Sequence, residues 1–446
     1  MPPPHPDAVA DCVLSAFHAL PAKCKPRKLA DGRKEWVPLA GIVLSRGMKC
    51  LPQAKLSAAK GNVLHDWHAE VLAIRAFNRW LVDECAELAR RGMPGTHGEG
   101  GSEGAWVRWR RRGEVGREVN GHGGERASTV HEREPEAPGR GPGGADGPRY
   151  HDREQEHAHD QLFAIQDNVR IHMYCSEAPC GDASMELTMA AQADATPWTS
   201  PPPTEDSGML LGRGNFDHLG VVRRKPARPD APLTLSKSCS DKLALKQCTS
   251  LLSGVTSLLV HPGEAYLGML VLPERRCVRE AVRRAFGREG RMSGVAAEGV
   301  QKRWRDEAYI FKPFEVVTTE KEFEYSKEHA SCGEETEAAT LVPSNLGALY
   351  TPRRQEVLIN GMLQGRRQDD PRGASCASRR RTWEAVRDVA ESAGLPLFQD
   401  LTACEGYAGL KGSGRLKGRE RVKEDVRERA LKGWKRNVGD EEWGLV

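Results

Sequence analysis

Four residues of this chain have the types and settings that hydrolytic metal chemistry needs: His68, Glu70, Cys180 and Cys239. His68 and Glu70 lie in His65-Asp66-Trp67-His68-Ala69-Glu70, at the start of a strongly periodic segment. Cys180 lies in Glu177-Ala178-Pro179-Cys180-Gly181-Asp182, where a strand-like run meets a helix-like one. Cys239 lies in Lys237-Ser238-Cys239-Ser240-Asp241-Lys242, at another such junction. Helix N-termini carry partial positive charge and free N–H groups, so a cysteine there is more readily a thiolate. Two thiolates and one imidazole make a three-ligand zinc site whose fourth position is left for water. That is the catalytic rather than the structural arrangement.

Zinc lowers the pKa of a water molecule to about 7. The hydroxide so formed can attack an amidine-like carbon. A carboxylate must then move protons from the water to the ring nitrogen and the leaving amine. Glu70 is the candidate. A His-x-Glu element followed by Pro-Cys is the signature of zinc nucleobase deaminases. That signature usually ends Pro-Cys-x-x-Cys, whereas the residue three after Cys180 is Ala183. Spacing alone leaves Cys239 as one well-placed cysteine among twelve. Blander readings stand beside this one: a histidine before a helix is often only a cap, and small buried cysteines are common.

The elements that must position these residues read as alternating strands and helices. Residues 7–20 show helical spacing through Val9, Val13, Leu14, Phe17 and Leu20. Residues 38–44 suit a buried strand. From 66 to about 90 the apolar residues recur at three and four, with Asp66 as the candidate N-cap. The pattern predicts a strand at 169–174, a helix over 182–193, and a helix starting at Cys239 or Ser240. Further strands are expected at 257–260 and 265–272. Helices are expected at 274–286, 380–393 and 416–433. An α/β sheet layered with helices is the natural class.

The chain has 446 residues, 39% hydrophobic and 29% charged, with a formal net charge of +4. A single domain over 1–446, with its core at about 38–446, accommodates this length. Residues 95–157 are rich in Gly, Arg, Glu and His and poor in apolar residues. They are expected to be a disordered insertion, since such composition cannot offset its ordering entropy. Loop closure costs little at this length. The run Trp106-Val107-Arg108-Trp109-Arg110-Arg111-Arg112 offers an alternative reading as an RNA-binding arm. The cysteines follow no disulfide spacing, the N-terminus shows no signal peptide, and no apolar run approaches the roughly 18 residues a bilayer requires. The expectation is an intracellular protein of cytoplasm and/or nucleus, with free thiols and no membrane contact.

The sequence also resembles a known family, the RNA adenosine deaminases that share the A-to-I editase domain. The matching pieces are Leu39-Ala40-Gly41-Ile42-Val43, Gly47-Met48-Lys49-Cys50, His68-Ala69-Glu70, Pro179-Cys180-Gly181-Asp182-Ala183-Ser184 and Ser238-Cys239-Ser240-Asp241-Lys242. The resemblance implies that His68, Cys180 and Cys239 hold zinc, and that Glu70 catalyses hydrolysis of adenosine to inosine. It implies a cytidine-deaminase-like three-layer α/β core, a mixed sheet with helices on both faces, extended by a C-terminal helical and strand region.

Two features point to the tRNA branch of that family: the short stretch before Leu39, and the run Val222-Arg223-Arg224-Lys225-Pro226-Ala227-Arg228-Pro229-Asp230. The implied substrate is position 37 of alanine tRNA, immediately 3′ of the anticodon, where a loop base is already partly unstacked and easier to flip out. Lys49, Lys225 and Arg228 are then expected to contact phosphate. Editing of another structured RNA and a non-catalytic RNA-binding relative are the alternatives; the retained Glu70 argues against the latter. No obligate protein partner is evident. The resemblance further implies buried inositol hexakisphosphate, held by Arg75, Lys242, Arg379, Tyr407, Lys411, Lys423 and Trp434. Burying so many cations without their anion would be prohibitive. Where the family often has Arg-Trp after Lys242, this chain has Leu245 and Lys246.

Overall fold

The computed structural model describes residues 4–30, 34–42, 45–46, 62–92, 106–110, 161–192, 218–225, 234–327, 342–437, 439–440 and 443–444. The strands in chain order are β1 (Glu35–Trp36), β2 (Leu39–Gly41), β3 (Ser45–Arg46), β4 (Val107–Trp109), β5 (Phe163–Ile165), β6 (Ile171–Cys175), β7 (Leu267–Pro273), β8 (Glu315–Thr319), β9 (Val342–Pro343), β10 (Leu346–Thr351), β11 (Arg354–Ile359) and β12 (Met362–Leu363). The α-helices are α1 (Pro6–His18), α2 (Ala69–Arg90), α3 (Met185–Ala190), α4 (Cys239–Thr249), α5 (Arg279–Phe286), α6 (Glu298–Arg305), α7 (Arg379–Ser392), α8 (Leu397–Ala403), α9 (Tyr407–Gly412) and α10 (Lys417–Arg429).

One mixed sheet organises the chain, in the order β12-β11-β10-β3-β2-β6-β7-β8. The β6-β7-β8 half is parallel and the rest antiparallel. Side chains alternate across a strand, and that alternation builds the layers. Tyr174, Met269 and Val271 pack with Phe17 and Val13 of α1 on one face. Met173, Cys175, Leu270 and Leu272 pack with α2 and α4 on the other. The result is the expected three-layer arrangement. Helices α7 to α10 extend it: α7 packs on α2, and α10 packs on α4.

Several elements depart from the sequence expectation. The strand expected at 257–260 is a 3-10 turn, Thr256–Leu258. There the Ser253 hydroxyl accepts from Thr256 N–H at 3.1 Å, a local bond that competes with strand pairing. The helix expected over 182–193 is a 3-10 turn followed by the short α3. The helix expected over 274–286 starts only at Arg279, because Cys277 is extended.

Part of the segment expected to be disordered is ordered. Val107, Arg108 and Trp109 pair antiparallel with Ile165, Ala164 and Phe163. Val107 is 1% exposed, and Trp109 packs 4.5 Å from Phe163. Arg110 N–H donates to Leu162 O at 2.7 Å, so residues 110 and 162 continue the antiparallel pairing. Most of residues 95–157 lie outside the described residues. Among the described residues each cysteine is a free thiol, and no helix is long and apolar enough to cross a membrane.

Candidate active site

The site forms where three turns meet. His68 is the N-cap of α2 and places Glu70 in the first, buried turn of that helix. Asp66 is not the cap, contrary to the sequence expectation. Its Oδ1 accepts from His68 N–H at 3.0 Å, while Oδ2 faces inward to two lysines. Cys180 follows β6 through the turn at Pro179. Cys239 is the first residue of α4, capped by Ser238, whose hydroxyl accepts from Asp241 N–H at 3.1 Å.

The two cysteine turns are knitted together. Ser240 N–H donates to Cys180 O at 3.0 Å, and the Ser240 hydroxyl donates to Pro179 O at 2.9 Å. Ala183 N–H donates to the Ser240 hydroxyl at 3.1 Å. Gly181 has φ +104°, and a Cβ there would fall 2.3 Å from the Ser238 hydroxyl oxygen. Only glycine permits both that backbone and that approach. The absent second cysteine of the usual signature is thus replaced by a buried alanine whose backbone binds the neighbouring turn.

One nitrogen and two sulfurs converge as a result. His68 Nδ1, Cys180 Sγ and Cys239 Sγ all lie within 4.8 Å of one another. Each sulfur is 3.9 Å from the imidazole nitrogen. Cys239 N–H donates to Cys180 Sγ at 3.3 Å, and the Cys239 thiol donates to Glu70 Oε2 at 3.1 Å. Cys175 is buried in the sheet and lies outside this cluster.

Electrostatics divide the roles. The hydrogen bond from Cys239, the Lys225 ammonium and His68 hold the Cys180 thiol far below its ordinary pKa, as a thiolate. Burial and that neighbouring thiolate push Cys239 up. Burial, and then the charge of Cys180, raise Glu70, so its carboxyl is readier to carry a proton than an exposed glutamate.

Lys225 is not where the sequence reading put it. It is 3% exposed, with Nζ 3.0 Å from Asp66 Oδ2 and 3.1 Å from Cys239 Sγ. The cause is local pairing. Lys225 N–H donates to Ser236 O, and Ser238 N–H to Arg223 O, so residues 223–225 run antiparallel to 236–238 and turn Lys225 inward. Its ammonium faces the cysteines and Asp66 rather than the protein surface. Lys49 and Arg228 lie outside the described residues. Burial alone would raise the pKa of Asp66, but the Lys225 and Lys242 ammoniums hold it well below the usual range. Lys242 donates to Asp66 and, at 2.8 Å, to the Ser236 hydroxyl.

Behind this shared carboxylate lies a nest of buried and half-buried cations. Arg75 donates to Ala377 O, and Arg379 lies over the Tyr407 ring and 3.1 Å from Asp440. Lys411 stands 5.0 Å from the centre of the same ring, and Lys237 stands 5.4 Å from that of Trp434. Burial and the neighbouring Arg419 bring Lys423 down to about 8. Burial and Lys242 bring Lys237 down to about 7, and burial and Arg379 bring Arg75 down to about 10. Arg75 Nε, Arg419 Nε, Arg427 Nε and Arg427 Nη1 are buried with no hydrogen-bond partner among the described residues. Sequence reasoning missed Lys237, Arg419, Arg427 and Asp440. It also took Lys246 as a mismatch, whereas Lys246 is half-buried, and burial, then Arg419, Lys423 and Arg75, hold its pKa well below the ordinary lysine range. Their common signal is charge without exposure, which a sequence does not display.

Comparison with known proteins bears on the chemistry. The profile of the adenosine-deaminase (editase) domain matches residues 43–94 and 152–437. The chain belongs to that family. The gap in the editase match falls within the segment of biased composition, so the deaminase domain is interrupted there rather than ended. Three curated relatives are similar to this deaminase, each named tRNA-specific adenosine deaminase 1. The one from Schizosaccharomyces pombe is 33% identical over 377 residues, 81% of this chain and 79% of its own. The one from Saccharomyces cerevisiae is 26% identical over 60% of this chain and 58% of its own. The one from Drosophila melanogaster is 36% identical over 53% of this chain and 47% of its own.

Proposed function

We propose that this adenosine deaminase converts adenosine to inosine in tRNA, with His68, Cys180 and Cys239 as zinc ligands and Glu70 as the proton carrier. The observation that carries the reading is the convergence of the three donor atoms with a buried carboxylate 3.1 Å from one sulfur. A Cys, Cys, His set with one position left over suits zinc in a catalytic role. When bound, zinc supplies the Lewis acidity that brings a water molecule's pKa to about 7.

Glu70 then moves the protons. It accepts one from the attacking water as oxygen bonds to C6 of adenine, and passes it to N1. A second proton follows to the exocyclic nitrogen, the C6–N bond breaks, and ammonia leaves. Adenosine and water become inosine and ammonia. The raised pKa of Glu70 suits a group that must hold a proton in mid-cycle.

The names of the relatives support tRNA as the substrate class. Position 37 of alanine tRNA is the proposed target, because a base in an anticodon loop costs less to extract than one in a duplex. Arg228 and Lys49 are proposed phosphate contacts. The cation nest is proposed to hold inositol hexakisphosphate through Arg75, Lys242, Arg379, Tyr407, Lys411, Lys423 and Trp434, joined by Lys246 and Arg419. Orphaned buried guanidinium nitrogens and mutually depressed lysines support a polyanion there.

Incubation of the purified chain with total tRNA, followed by mapping of inosine by sequencing, tests the substrate. Inosine beside the alanine anticodon is expected. Inosine only at other tRNA positions would remove the alanine assignment, and none in any tRNA would remove tRNA itself.

A further inference from the structure

The two cysteine turns carry the same residue type at the same offset. Asp182 follows Cys180 by two residues, and Asp241 follows Cys239 by two. Both aspartates are fully buried, where a carboxylate persists only if paired. One arginine reaches both. Arg291 Nη1 donates to Asp241 Oδ1 at 2.6 Å, and Arg291 Nε stands 3.8 Å from Asp182 Oδ2. The arginine is itself 3% exposed and is held by the carbonyls of Ala285 at 3.0 Å and Val221 at 3.4 Å. Arg284 of α5 closes the other side of Asp182, donating to its Oδ1 at 3.1 Å and to its carbonyl at 2.8 Å.

The same aspartates hold the segment that delivers Lys225. Asp182 Oδ1 accepts from Gly220 N–H at 2.7 Å. Asp241 Oδ2 accepts from Arg223 N–H at 2.9 Å and from the Ser238 hydroxyl at 2.6 Å. Cys180, Cys239 and Lys225 are therefore each one or two residues from a backbone group or carboxylate tied to a single buried ion cluster.

We infer that Arg291 is a positioning residue for the metal centre: by pairing with Asp182 and Asp241 it sets the spacing of Cys180 and Cys239 and anchors the segment that carries Lys225. The inference rests on the reading of His68, Cys180 and Cys239 as metal ligands. An arginine suits the task because its charge is spread over the guanidinium: Nη1 donates to Asp241 while Nε, donating to Ala285 O, still stands 3.8 Å from Asp182, whereas a lysine is a point charge on one atom.

Cobalt(II) substitution of the full chain tests this, because its absorption bands report ligand geometry. Arg291→Lys keeps the buried charge, and Asp182→Asn leaves the Arg291–Asp241 contact in place. Both are expected to shift the cobalt bands and to weaken metal binding by about 10- to 100-fold in competition with a chelator. A merely stabilising arginine would lower the melting temperature of these variants yet leave the bands and affinity of the folded protein unchanged. That result in either folded variant overturns the inference. Failure of the unaltered chain to bind Co2+ or Zn2+ would sink the metal-site reading as well, so the two failures are distinguishable.

Discussion

The Lys225 ammonium lies 3.1 Å from Cys239 Sγ, with almost no access to solvent. A cation so placed favours the thiolate form of both sulfurs, since it acts on Cys180 as well. It also neutralises part of the Asp66 charge. Lys225→Met is therefore expected to raise the thiol pKa values and to weaken zinc binding by roughly 10-fold or more. Chelator competition measures this. A variant that keeps its zinc but binds tRNA more weakly would return Lys225 to the RNA surface.

Glu70 and the sulfurs should separate cleanly. Glu70→Ala is expected to keep stoichiometric zinc and to lose about 10²- to 10⁴-fold in inosine formation, the usual contribution of a general acid–base group. Cys239→Ala is expected to lose zinc and activity together. Metal analysis beside a single-turnover assay checks both, and full zinc occupancy in the Cys239 variant would refute its assignment as a ligand.

The cation nest predicts an unusual pH dependence. Lys423 titrates near 8 in the folded chain, against about 10.4 for a free lysine. Between those values the unfolded chain binds more protons, so stability rises with pH across that window and is lost as pH falls through about 8. The anion-free protein should melt higher at pH 9.5 than at pH 7.5. Added inositol hexakisphosphate should raise the melting temperature most at the lower pH, with about 2.7 kcal/mol gained at a hundred times the dissociation constant. A melting curve indifferent to the ligand at both pH values would remove the polyanion assignment.

The β4–β5 pair predicts a large effect for its strand and almost none for the segment it encloses. Trp109→Ala removes a buried ring packed against Phe163 and should cost about 3–5 kcal/mol in denaturant unfolding. Replacing residues 111–161 with an Asn-Gly turn should leave the unfolding free energy nearly unchanged, because Arg110 and Leu162 already face one another as the residues flanking such a turn must. A large loss of stability on that replacement would show that the excised segment packs on the domain.

The sequence made His68, Glu70 and Cys180 legible because their chemistry is tied to short local spacing. The long α2 was legible too, since its apolar stripe runs for many turns. Cys239 needed the family resemblance, because the contact that recruits it, from Ser240 to Cys180, spans two distant turns. Lys225 was misread for the same kind of reason. A basic run reads as a solvated face, and only the antiparallel pairing with 236–238 reveals which lysine turns inward. Lys246 and Arg419 were illegible because burial of a charge depends on partners 170 residues away, as with Arg419 and Thr249. Within the biased segment, the β-forming Val107 and Trp109 on either side of Arg108 outweighed the composition around them.

The adjacency of Arg110 and Gln161 has a practical consequence. A chain that departs and returns at one point offers a socket for a guest domain whose own termini lie close together, joined without pulling the host apart. A fluorescent or affinity module seated there would report on the deaminase while Asp440 and Trp443 keep their buried places beside Arg379 and Tyr407.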